Sequence, residues 1–231
     1  MSDNEEEDKS PIKYSGNYGG ITQESQFWDD FEDYGEKKLL NLKLIKIRIY
    51  SGKFNDKDAI FGVGFTYKDL INGKEIVVDH KGSNDFIDVK EFIIKPSEYV
   101  TDFHIRFTNE AEYISQLGYT TNKGNPILVG SEEGEDKTIL SNGGDNIIVG
   151  TFGCVNKKLD ATGVLYINKK EYFKKLLNGI FILRHIIKKD KKFKEEWDKK
   201  QKDLPEDFQF IWRAVNLPEA ALFQIIRYCS I

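Results

Sequence analysis

Between Ile12 and Asn168 the sequence breaks into about ten to twelve short apolar runs, roughly 8–15 residues apart, with turn-forming residues between them and almost no helical period. Leu42–Tyr50 is the clearest: Leu44, Ile45, Ile47 and Ile49 stand against Lys43, Lys46 and Arg48, and Ser51-Gly52 ends the run. Ala59–Tyr67 follows, and Ile71-Asn72-Gly73-Lys74 reads as an Asn-Gly hairpin turn returning into Glu75–Val78. Further strands are predicted at Asp88–Ile94, Tyr99–Phe107, Tyr113–Thr120, Ile127–Val129, Ile147–Gly153 and Leu159–Ile167. So many short strands must cover one another's apolar faces. The class is therefore all-β, a barrel, sandwich or prism, and about 155 residues suffice for one core.

After Asn168 the period changes. Tyr172, Phe173, Leu176, Leu177, Ile180, Leu183 and Ile187 recur every three to four residues, which predicts a helix continuing toward Trp197. Asp203-Leu-Pro-Glu206 and Asn216-Leu-Pro-Glu219 each set a capping residue three positions before a Glu, with Pro in the first turn. They predict short helices over about 204–214 and 217–229. Three segments result: an acidic, disordered tail at 1–11, a β domain at 12–168 and a small helical extension at 169–231.

Charge narrows the partners. The chain of 231 residues carries a net −4, which argues against a nucleic-acid binder. The stretch 169–202 is locally basic, with 13 Lys/Arg against 5 Asp/Glu, and reads first as a solvated helix face. The apolar face of Leu222, Phe223, Ile225, Ile226 and Tyr228 needs cover from the first tail helix, the β domain or another protein, and a protein partner or self-association through 169–231 is among the expectations. Leu217–Tyr228 also looks like the opening helix of an F-box or of a similar ubiquitin-ligase docking segment, but it reads first as an ordinary amphipathic helix. Apolar runs such as Ile180–Leu183 are far too short to span a bilayer. Two distant cysteines, Cys154 and Cys229, suit free thiols, and the acidic amino terminus is no signal peptide. A cytoplasmic protein is expected.

The stretch Val149–Tyr166 holds the candidate site. It reads as a strand running into Gly150 and Gly153, a loop of Asn156, Lys157 and Lys158, then a strand that begins at Asp160. A carboxylate beside exposed backbone N–H groups suits a ligand that both donates and accepts hydrogen bonds, such as vicinal sugar hydroxyls. Asp160 as a simple turn terminator reads equally from these residues.

Four stretches together resemble the jacalin-related lectins, over about residues 12–168. They are Tyr18-Gly19-Gly20, Ile47–Gly52 with Asp58-Ala-Ile60, Ile114–Gly124 with its Thr-Asn-Lys-Gly ending, and Gly150–Gly153 with Leu159–Gly163. The resemblance implies a β-prism of three Greek-key sheets, and a shallow sugar site of the mannose or glucose type at one end. Gly19 and Gly20 would form its glycine loop, with the Gly20 N–H facing a sugar hydroxyl. The backbone N–H groups of Lys157 and Lys158 would face the ring oxygen and the primary hydroxyl, and Asp160 would accept from two hydroxyls. Asn156 stands where the family has glycine; Asn tolerates the left-handed conformation better than most residues. Side chains of Lys157 and Lys158 are expected in solvent, the alternative being a cationic rim that favours acidic glycans. A prism that kept its fold, lost its sugar and works through its tail is the other reading.

Other chemistry has little to stand on. His80, His104 and His185 are too dispersed for a metal site, and neither a metal nor a cofactor is expected. Asp29, Asp30, Glu32 and Asp33 read as an acidic surface loop, with calcium as the rarer possibility. Gly143-Gly144-Asp145 reads as a turn rather than a phosphate loop. No catalytic constellation can be argued, so no enzyme is expected.

Overall fold

The structure is a computed structural model. It describes residues 10–70, 73–95, 98–108, 113–124, 126–139 and 145–175, with positions 185, 188–190, 195 and 198. Contacts divide the chain into one unit through Asn168 and a second from Lys169. The first unit runs β1 (Lys13–Tyr14), β2 (Tyr18–Gly19), β3 (Gln26–Asp29), α1 (Asp30–Leu39), β4 (Leu42–Phe54), β5 (Lys57–Asp69) and β6 (Glu75–Lys81). It continues with β7 (Asp88–Ile93), β8 (Val100–Phe107), β9 (Ile114–Thr121), β10 (Pro126–Gly130), β11 (Glu135–Ile139), β12 (Asn146–Val155) and β13 (Leu159–Asn168).

These strands make three antiparallel sheets. One has the order β6-β5-β4-β7 and another β10-β9-β8-β11, so in each a meander of three strands is closed by the fourth lying beside the first. That is the Greek-key order. The last sheet, β1-β13-β12-β3 with β2 also on β13, completes the same pattern with strands from the beginning of the chain. Strands of every sheet pack against the other two, forming the β-prism.

Side-chain alternation explains the core. On β5, Val63, Phe65 and Tyr67 point inward and are fully buried. Phe65 meets Tyr119 of β9 edge-on, with centroids 6.4 Å apart, and Phe103 of β8 meets the same ring at 5.2 Å. The outward positions of β5 include Gly62 and Gly64, and these too are buried. Arg48 lies across Gly64 to reach Asp79 at 3.0 Å, leaving no room there for a side chain. At the β4–β5 tip both Asn55 (φ 51°) and Asp56 (φ 62°) are left-handed, as a two-residue turn matching strand twist demands.

Two elements depart from the sequence expectation. The segment read as an acidic surface loop forms α1 instead. Asp29 caps it by accepting from the Phe31 and Glu32 N–H groups, and the acids of the first turn suit the helix's positive end. Strand β11 was also not expected, because Glu135–Ile139 is almost wholly polar. Its residues pair with β8 from Glu135↔Phe107 to Ile139↔Phe103 on a sheet edge, where backbone bonds suffice and only Ile139 is buried.

The expected turn is partly described: the Gly73 N–H (φ 74°) donates to the Asp69 carbonyl at 2.8 Å, while Ile71 and Asn72 lie outside the described residues. So do residues 1–9, Gly143-Gly144, Cys229 and the two helices expected after residue 203. In the second unit residues 169–175 are helical, and Glu171 and Lys174 approach to 3.8 Å. Among the described residues no helix is long and apolar enough to cross a membrane.

Candidate functional site

The Greek-key closure of the third sheet brings the two ends of the β domain together. β2 anneals to β13 with Gly19 opposite Ala161 and Tyr18 opposite Thr162, and the Gly20 N–H donates to the Asp160 carbonyl at 3.0 Å. Gly19 sits at φ +122°, and a Cβ there would collide with that same carbonyl oxygen, so only glycine fits. Residues 19–20 and 160–161 therefore lie side by side. The Gly20 N–H, expected to face a ligand, is spent on this strand pairing.

The loop at 156–158 closes the β12–β13 hairpin, with Val155 opposite Leu159. Its Asn156 N–H donates to the Lys158 carbonyl at 3.0 Å, and the Ser83 N–H donates to the Lys157 carbonyl at 2.9 Å. Among the described residues Asn55 and Asp56 are the non-glycine residues of positive φ, so Asn156 does not use the left-handed conformation expected of it. Its amide reaches Glu24 at 3.4 Å instead.

The two lysines part company. Lys157 is exposed, as expected of a solvated side chain. Lys158 turns inward: its side chain is 10% exposed, its ammonium donates to Asp160 Oδ1 at 3.0 Å, and it stands 5.3 Å from the Phe54 ring centroid. The expectation of a solvent-facing or rim-forming Lys158 is thus corrected. The Asp160 carboxylate, two positions along, compensates an ammonium that burial would otherwise leave unpaired.

Asp160 itself is 1% exposed. Its second oxygen, Oδ2, accepts from the Ser25 hydroxyl at 2.7 Å. Ser25 is fixed in turn by Thr22, whose N–H donates to the Ser25 oxygen at 3.0 Å and whose hydroxyl lies 2.9 Å from it. Beneath this pair lies the free thiol of Cys154, fully buried. Burial pushes the thiol up from its ordinary value, with neighbouring Ser25 working against this and nearby Asp160 adding to it. Ser25 and Glu24 are the site residues sequence reasoning missed. Nothing in their own stretch marks them; only the pairing of β2 with β13 carries the following turn over Asp160.

The remaining candidates go elsewhere. Asp30, from the expected acidic loop, is fully buried and accepts through Oδ2 from Tyr67 (2.6 Å), the Thr151 N–H (2.8 Å) and the Thr151 hydroxyl (3.2 Å). It is a strut between β5 and β12, with its pKa raised by burial. His80 stacks on Trp28 at 4.4 Å, and His104 lies between the Thr120 and Thr138 hydroxyls at 2.7 and 3.1 Å. Among the described residues no group of three or more His, Cys, Asp or Glu side chains is placed to hold a metal ion.

Comparison with known proteins agrees with this architecture. A mannose-binding jacalin-related lectin from Ananas comosus superimposes with a TM-score of 0.52 at 20% identity, covering 69% of this chain and 99% of that one. The agglutinin of Calystegia sepium gives 0.53 at 20% identity, covering 68% and 97%. Jacalin-related lectin 44 of Arabidopsis thaliana is 27% identical over 146 residues, 62% of this chain but 22% of that protein, so the chain spans about a fifth of that relative's length. The model of the Jacalin-like lectin domain matches residues 15–165, well over half of the sequence and all but the edges of the β-prism. The chain belongs to the jacalin-like lectin domain family.

Proposed function

We propose that the β-prism is a carbohydrate-binding module for neutral hexosides of the mannose or glucose type, with Asp160 as the acceptor of two hydroxyls. The observation that carries this reading is the convergence of Gly19-Gly20, the loop 156–158 and Asp160 at one end of the β12–β13 hairpin. An anionic acceptor gives a hydroxyl a stronger hydrogen bond than a neutral one, and the backbone donors of this reading are the Lys157 and Lys158 N–H groups, those of Gly20 and Asn156 being spent within the domain. The family supports the reading: the Ananas comosus relative is described as mannose-binding, and another similar structure, Calsepa lectin, is described in complex with a biantennary N-glycan. A cytosolic place is part of the proposal, for which the free Cys154 suits a reducing compartment.

One observation favours a second reading, a prism that no longer takes sugar and engages a protein partner, or another copy of the chain, through residues 169–231. Both oxygens of Asp160 already have donors, from Ser25 and Lys158. A glycan array with the wild type and Asp160→Ala separates the two. A mannoside signal lost in the variant is the expected result; silence from both proteins selects the second reading.

A further inference from the structure

Asp160 presents a contradiction that its neighbours resolve. A carboxylate that is to meet a sugar must be reachable, yet this one is 1% exposed. What covers it are a hydroxyl on Oδ2, from Ser25 at 2.7 Å, and an ammonium on Oδ1, from Lys158 at 3.0 Å. These are the donors a ligand would bring, supplied by the chain itself.

The two covers are held very differently. Lys158 is buried, with its ammonium set between Asp160 and the Phe54 ring. Ser25 belongs to a turn whose other members, Ile21, Thr22, Gln23 and Glu24, are exposed, Ile21 by 56%. The turn's own bonds are internal: the Ser25 N–H donates to the Thr22 carbonyl at 3.2 Å, and the Thr22 N–H and hydroxyl hold the Ser25 oxygen. Among the described residues its side chains hold to the rest of the domain through the Ser25–Asp160 bond and through the Asn156 amide, which donates to Glu24 at 3.4 Å. Its two ends are pinned, by the Gly20 N–H on the Asp160 carbonyl at 3.0 Å before it and by Gln26 paired with Val155 after it, so the part free to lift is the turn between them.

We propose that residues 21–25 form a latch, and that Ser25 is an internal competitor for Asp160 which a ligand hydroxyl must displace. This rests on the carbohydrate reading of the site. Exchanging one hydroxyl for another costs little in bonding, so the ligand's apparent affinity is reduced by the fraction of molecules with the latch shut. Weakening the latch without touching Asp160 or Lys158 therefore tightens sugar binding.

The buried thiol of Cys154, which lies against the Ser25 hydroxyl, reports the opening directly. The experiment uses the full chain carrying Cys229→Ser, so that Cys154 is the one remaining thiol. Labelling by a disulfide reagent and binding of methyl α-mannoside by calorimetry are compared for this protein and for its Ser25→Ala and Thr22→Val variants, with circular dichroism to verify folding. Ser25→Ala is expected to raise both the labelling rate and the mannoside affinity about tenfold, the scale of one hydrogen bond to a charged group, and Thr22→Val to raise both by less. Mannoside binding in the parent with no change of labelling or affinity in either variant overturns the latch and leaves the carbohydrate reading standing. Weaker binding in Ser25→Ala also overturns it, since Ser25 would then be a sugar contact. Faster labelling with no mannoside bound by any of the three proteins overturns the carbohydrate reading, and with it the latch as a gate to sugar.

Discussion

At the scale of single residues, the two buried aspartates show how one side chain takes opposite roles from its surroundings. Asp160 is answered by an ammonium and a hydroxyl, so its charge is compensated inside the domain. Asp30 meets only neutral donors, and its Oδ1 is buried without a hydrogen-bond partner. Burial therefore raises its pKa from the ordinary 3.8. A carboxyl whose folded pKa is raised contributes stability below the unfolded value, and that contribution is lost as pH rises through the folded one. Asp30→Asn should thus remove a fall in stability with rising pH above about 4 while keeping an acceptor for Tyr67 and Thr151. Asp30→Ala, which removes the acceptor of two buried hydroxyls and a buried N–H, should cost about 3 kcal/mol; urea denaturation across pH measures both. The placing of Asp160 near the start of a strand, after the loop of Asn156, Lys157 and Lys158, was legible in the sequence. The inward turn of Lys158 was not, since its direction depends on Phe54, about a hundred positions earlier.

Elements were legible in proportion to how much apolar surface they bury. β4, β5, β9, β12 and β13 are rich in buried residues and stand where the periodicity put them. β11 and α1 escaped notice for the reverse reason: one is a polar edge strand, and the other buries little beyond Asp30 and Leu39 and takes its capping from Asp29. Between elements, the stack of Trp28 on His80 ties β3 to β6 across two sheets, with the rings 8° from parallel. Burial lowers the His80 pKa to about 4. A histidine depressed in this way favours the fold while neutral, so its contribution is present above pH 6.5 and is lost as pH falls toward 4. Thermal unfolding should show that loss. His80→Phe, which keeps a ring against Trp28 and cannot be protonated, should flatten the slope between pH 6.5 and 4.

At the scale of the whole molecule, the third sheet is assembled from both ends of the β domain. β12 and β13 are flanked by β3 on one side and by β1 and β2 on the other. A chain beginning at residue 30 would leave both strands with open backbone edges and uncover the interior at Val164, Leu165 and Ile167. It should melt without a cooperative transition and bind a hydrophobic dye such as ANS; a sharp melt equal to the full chain's would show that the early strands are dispensable. The same wiring sets a schedule on the ribosome. Trp28 bonds to Thr151, 123 positions later, so the opening strands emerge and then wait roughly ten seconds of synthesis for the hairpin that receives them. Two Greek keys can close during that interval. The end that holds Asp160 is the last part of the β-prism to form, and a chain stalled before residue 160 carries two finished sheets and an unfinished third.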